Sequence, residues 1–240
     1  MSWLKILLAR IIKELLKHGP ELYEIIRKLA PTIRDWLNGK KIAVIGQTAV
    51  GKNSFYRRLN DEAIPDEHHE TKGAEIIPNF KYECNLPGGK QFAVSFKRCI
   101  NAGGDIEQRD RYWMEVCKDS DIVFYMISLE DMKKGEYRKP GSVYHDLKWL
   151  ATHLNKMQPN TLIHFLVNKI DQELVDTERY MEFVAQNKPQ IDELEQVSRS
   201  LLGDYQKRFT GTTLTSMKDD HVFAVSFPKA LEAVYAAVHS

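Results

Sequence analysis

The sequence carries almost no net charge. Its 34 Lys and Arg against 33 Asp and Glu leave +1 at neutral pH over 240 residues. So balanced a surface steers neither nucleic acid nor acidic substrates by its overall field, and no nucleic-acid partner is expected. Cysteine is scarce as well. Cys84, Cys99 and Cys117 show no paired metal spacing, and no secretory signal with a small-residue cleavage site precedes them. They are read as free thiols of a reducing, cytoplasmic setting. A long hydrophobic run is missing, because Lys5, Arg10 and Lys13 interrupt the most apolar stretch, whereas a membrane span needs about 20 apolar residues. Ser2 stands where an N-myristoyl anchor would require glycine. No repeat or low-complexity tract appears, and the chain is long enough to bury a sizeable core.

Within the first 39 residues two helical patterns are present. Trp3, Leu4, Leu7, Leu8, Ile11, Ile12, Leu15 and Leu16 recur at helical spacing, with Lys5, Arg10, Lys13, Glu14 and Lys17 between them. Gly19-Pro20 ends this helix, and Leu22, Ile25, Ile26, Leu29, Ile33, Trp36 and Leu37 mark a second one that Asn38-Gly39 closes. The pair either packs on itself or on the body of the protein, or it lays residues 3–16 on a membrane surface. Residues 40–240 form the main domain.

There, the apolar strand Lys41-Ile42-Ala43-Val44-Ile45 runs into Gly46-Gln47-Thr48-Ala49-Val50-Gly51-Lys52-Asn53-Ser54, followed by a helical pattern in Phe55 and Leu59. Strand, glycine loop and helix in that order build a phosphate cradle. Two glycines let successive N–H groups turn inward, the helix start adds a favourable dipole, and Lys52 brings positive charge to the outer phosphates. Such motifs usually end in Ser or Thr, whose hydroxyl binds Mg²⁺, but here the position is Asn53. Ser54 does not replace it, since one step along a helix turns a side chain by about 100°.

A second buried strand, Thr161 to Val167, leads into Asn168-Lys169-Ile170-Asp171, at the strand end where open parallel sheets hold ligands. Asp171 can accept hydrogen bonds from N1–H and the exocyclic amine of guanine. Adenine lacks that donor pair, and a buried carboxylate left unpaired is costly. With both motifs in one chain, the sequence resembles the P-loop GTPase family over roughly Lys41 to His239, and its base-reading signature Asn-Lys-x-Asp is matched in full.

The resemblance implies further positions. Thr71 stands where the family's first switch threonine closes over Mg²⁺ and the terminal phosphate, so Asn53 and Thr71 are the candidate metal ligands. A strand through Ile76 to Cys84 and a returning one through Phe92 to Ile100 deliver the chain to Asn101-Ala102-Gly103-Gly104-Asp105. In that second switch Gly104 keeps the amide that senses the terminal phosphate. Asn101 replaces the aspartate that holds a metal-bound water, and Asp105 replaces the glutamine that orients the attacking water. Lys52, Thr71, Gly104 and Asp105 are therefore the candidate catalytic set, and slow hydrolysis is expected. His68 and His69 read as solvated loop residues.

Buried strand Ile122 to Ile127 and a helix over Val143 to Leu154 follow. Residues 172–217 read as a helical insertion or extended crossover helix, on Ile191, Leu194, Val197, Leu201 and Leu202. Val222 to Val225 reads as a last strand, with Ser226 and Phe227 in the place of the family's Ser-Ala-Lys loop over the base. The expected architecture is α/β: a mostly parallel sheet with one antiparallel strand, helices on both faces, and the N-terminal helix pair as an appendage. The expected ligand is GTP or GDP with weakened Mg²⁺ dependence, and a protein partner is expected. Either the chain is a slow GTP-hydrolysing switch, or it is a binding module that holds the nucleotide without chemistry.

Overall fold

The computed structural model describes residues 40–60, 64, 74–77, 80–85, 91–96, 99–102 and 109–239. The N-terminal helices, Thr71, His68, His69, Gly103, Gly104 and Asp105 lie outside the described residues. Four strands, β1 (Ile42–Gly46), β6 (Ile122–Ser128), β7 (Leu162–Asn168) and β8 (Phe209–Leu214), run parallel and adjacent in that order. On the other side of β1 lies β5 (Cys99–Ala102), parallel to it through Val44 and Asn101, and beyond it β2 (Ala74–Ile77), antiparallel to β5. The strands β3 (Phe80–Asn85) and β4 (Gln91–Phe96) pair separately. Their register continues that of β2 and β5, with Ile77 opposite Cys99 and Phe80 opposite Phe96.

The central strands read as apolar runs, broken only by His164 of β7, because both sheet faces are covered. Ala43, Ile45, Val123, Tyr125, Ile127, Ile163, Phe165 and Val167 point to one face. There they meet Val143, Leu147 and Leu150 of helix α4 (Ser142–His153), Phe183 of α5 (Tyr180–Gln186) and Ile191 and Leu194 of α6 (Lys188–Leu202). The alternate residues Ile42, Val44, Ile122, Phe124, Met126, Leu162 and Leu166 face the other way. Phe55 and Leu59 of α1 (Lys52–Asn60) and Phe223, Phe227, Ala230 and Val234 of α7 (Asp220–His239) cover them. Two further short helices, α2 (Met114–Cys117) and α3 (Leu129–Lys134), flank β6 in the chain.

Two sequence expectations are corrected here. The stretch 172–217 is not helical throughout, since it ends in strand β8, FTGTTL. Threonines suit a pleated strand as well as apolar β-branched residues do, but they hide it from a hydrophobicity reading. Val222 to Val225 is not a strand but the first turns of α7. Asp219 caps that helix by accepting from the Val222 amide at 2.8 Å. Val222, Phe223, Ser226, Phe227, Ala230 and Val234 are its buried stripe. Pro228 lies inside α7 without ending it, the packing of its neighbours outweighing the lost hydrogen bond. Among the described residues no helix is long and apolar enough to cross a membrane.

Candidate functional site

The loop between β1 and α1 is shaped by positions no side chain could occupy. At Gly46 φ is +140°, and a Cβ there would lie 2.1 Å from the Met126 carbonyl oxygen of the neighbouring strand. At Gly51 φ is +99°, and a Cβ would meet the Asn168 amide nitrogen at 2.3 Å. Each glycine is thus required twice, by backbone conformation and by close approach. Ala49 takes a positive φ of 61° at the exposed crest beside Thr48. Lys52 is buried, and its ammonium folds back over the loop to donate to the carbonyls of Gly46 at 3.0 Å and Gln47 at 2.7 Å. Asn53 and Ser54 are half-buried in the first turn of α1.

The motif after β7 closes on this loop. Asn168, 3% exposed, donates through Nδ2 to the Val50 carbonyl at 2.8 Å and accepts through Oδ1 from the Met217 amide at 2.9 Å. Its two-sided amide therefore ties the loop between β1 and α1 to the segment after β8. Lys169 turns the chain with a φ of +69°, Ile170 anchors the turn in the core, and Asp171 comes out half-exposed. The Asp171 carboxylate accepts from the Ser216 hydroxyl. The same Ser216 oxygen accepts from the amides of Lys218 at 3.2 Å and Asp219 at 3.1 Å.

Ser226 and Phe227 do not lie beside Asp171. Both are buried in α7, Ser226 bonded to Thr215 at 2.7 Å between hydroxyls and Phe227 stacked on Phe223. The loop beside Asp171 is Ser216-Met217-Lys218. In the sequence, Thr215-Ser216 directly after a threonine-rich strand marks this loop.

Mg²⁺ is the metal the resemblance implies. Asn53 stands one residue after Lys52, and Asn101 lies on β5 opposite Val44 of β1. The donors that these residue types offer are neutral amide oxygens where a compact hydroxyl and a carboxylate would suit the small octahedral ion. The set fits Mg²⁺ poorly, and no chemical step is routed through it.

A buried carboxylate underlies the loop. Asp146 of α4, 3% exposed, accepts from Gln47 of the loop after β1, from the Tyr125 hydroxyl of β6 at 2.9 Å and from Arg109 at 3.2 Å. Burial pushes its pKa up to about 6, against the opposing pull of Tyr125, Arg109 and Gln47. On β7, His164 has both ring nitrogens bonded at 2.9 Å to Thr210 and Thr213, and burial lowers its pKa to about 3. It is a neutral core residue rather than a catalytic base.

These two shifts have opposite signs in stability. Asp146 holds its proton more tightly folded than unfolded, so its contribution falls as pH rises from about 4 to about 6. His164 stays neutral when folded while the unfolded chain protonates, so its contribution rises with pH between about 3 and about 6.5. The slopes, each about 1.4 kcal/mol per pH unit, nearly cancel between pH 4 and 6. Asp146→Asn should therefore lose on the order of 2–3 kcal/mol more than wild type on acidification from pH 6 to 4. Urea melts of both proteins across that range check this, and parallel profiles would contradict it.

No protein-family model matches the chain. Ciliogenesis and planar polarity effector 2 of Xenopus laevis is 31% identical over 98 residues, covering 40% of this chain and 39% of that protein. The chain thus matches well under half of that relative's length.

Proposed function

We propose that the chain is a guanine-nucleotide-binding protein of the P-loop GTPase type, acting as a switch that hydrolyses GTP slowly. The observation that carries the reading is the Asn168 side chain, which joins the phosphate loop at Val50 to the loop at Met217. One nucleotide could then lie with its phosphates at Gly46 to Ser54 and its base between Asp171 and Ser216 to Lys218. Lys169, beside Asn168, would flank the base, and Lys52 would leave its loop carbonyls for the outer phosphates. Thr71 and Gly104 would sense the terminal phosphate. A protein partner would supply what Asp105 lacks, and the setting would be cytoplasmic, with residues 3–16 as a peripheral membrane contact.

Asn53, Asn101 and Asp105 favour a second reading, a binding module that holds GTP or GDP without turning it over. Identifying the nucleotide that co-purifies with the protein, then following bound GTP for hours, separates the two. A guanine nucleotide with slow GTP loss supports the switch, and GTP intact after that time supports the module. Under the switch reading, Asn53→Thr with Asp105→Gln should raise the single-turnover rate roughly tenfold or more. An adenine nucleotide would sink both readings.

A further inference from the structure

We infer that Arg58 is a positioning residue for the base half of the site, holding the loop 216–218 against the helix that follows the phosphate loop. The inference rests on the guanine-nucleotide reading above. Arg58 lies on α1, the helix that Lys52 begins, and is 9% exposed. Its Nε donates to the Met217 carbonyl at 2.6 Å and its Nη2 to the Lys218 carbonyl at 2.7 Å, while Nη1 pairs with Asp220 at the start of α7. The amides of the same loop are held from elsewhere, Met217 by Asn168 and Lys218 by Ser216.

A loop without regular secondary structure has no ladder to satisfy its backbone. Here Arg58 supplies the donors for its carbonyls, Asn168 and Ser216 the acceptors for its amides. Ser216 in turn bonds Asp171. Arg58 thus acts on the base-reading carboxylate through the loop, and Asn168 ties that loop back to Val50. Arginine suits the place because the three acceptors are reached from three separate nitrogens of its planar fork, whereas the three donors of an ammonium radiate from one atom.

The test compares GDP and inorganic pyrophosphate as probes, titrated into the full chain and into Arg58→Ala and Arg58→Lys, at a temperature where circular dichroism shows each folded. Pyrophosphate engages the phosphate loop alone, and GDP engages both halves. Arg58→Ala should weaken GDP about 10- to 100-fold, from the loss of charge-assisted bonds, and change pyrophosphate by less than about twofold. Arg58→Lys should fall between, and it carries the test if the alanine variant does not fold. GDP affinity unchanged in a variant whose Tm has dropped would mean a merely structural role and overturn the inference. Equal losses for GDP and pyrophosphate would also overturn it, by placing the effect on α1 and the phosphate loop. Failure of the unaltered protein to bind GDP would overturn the guanine reading, and this inference with it.

Discussion

Replacing Asn168 with alanine should both lower the melting temperature sharply and remove nucleotide binding. The amide group of Asn168 fills two buried needs at once, a donor for the Val50 carbonyl and an acceptor for the Met217 amide. Alanine satisfies neither. Each buried backbone group left unpaired costs about 1–3 kcal/mol, so the variant should lose roughly 2–5 kcal/mol. In a domain of this size that corresponds to about 5–15 °C in Tm. Binding should fall further than stability alone requires, because the phosphate loop and the loop at Ser216 would no longer be held at a fixed separation. Scanning calorimetry and GDP titration check the two halves. A Tm within about 2 °C of wild type would show that water satisfies both groups.

The second large effect is expected at Lys52. Its ammonium is buried and bonded to two loop carbonyls. A phosphate would meet a cation already held in place, with little side-chain ordering left to do. Lys52→Ala should reduce GDP affinity by about 100-fold or more, the usual scale for deleting one partner of a buried charge-assisted contact. Chelating Mg²⁺ should reduce it far less, by under about tenfold, because Asn53 and Asn101 offer the ion neither a compact hydroxyl nor an anionic anchor. Titration of GDP with and without chelator, in both proteins, gives the ranking directly. If chelation costs more than the lysine does, the two asparagines build a working metal site.

The parts of this site that were legible in the sequence are the contiguous ones. Gly46, Gly51 and Lys52 stand in a fixed local order after an apolar strand, and the structure places them in a strand–loop–helix unit. Asn168 to Asp171 likewise follow directly on β7. The last strand differs from the expected one because two local signals compete. The apolar run Val222 to Val225 imitates a buried strand, and a short apolar run cannot be told from a buried helix by periodicity alone. The true strand, Phe209 to Leu214, is built on threonine and carries Gly211 at a φ of +127°. Asp219 as a helix cap was the residue that could have decided between them.

Contacts between distant segments left no trace in the pattern. Gln47 meets Asp146, and Arg58 meets Met217 and Lys218, across long stretches of chain. Nothing in the spacing of a glutamine, an aspartate or an arginine announces such a partner. The role of Asn168 illustrates the same limit. The sequence places it in a motif that resembles a base-reading one, and the fold adds that it is the buried tie between two loops.

The central claim is that Asp171 selects guanine, and the most direct measurement is the affinity of the unaltered protein and of Asp171→Asn for GDP, ADP and xanthosine diphosphate. The carboxylate is half-exposed and accepts from Ser216. The unaltered protein should bind GDP with ADP at least about 100-fold weaker, since a site built for donors rejects a base that lacks them. Asp171→Asn should lose GDP and gain the xanthine nucleotide, whose exocyclic oxygen replaces the amine and matches the new amide donor. Comparable affinity of the unaltered protein for GDP and ADP, or a variant that still prefers GDP, would contradict the account.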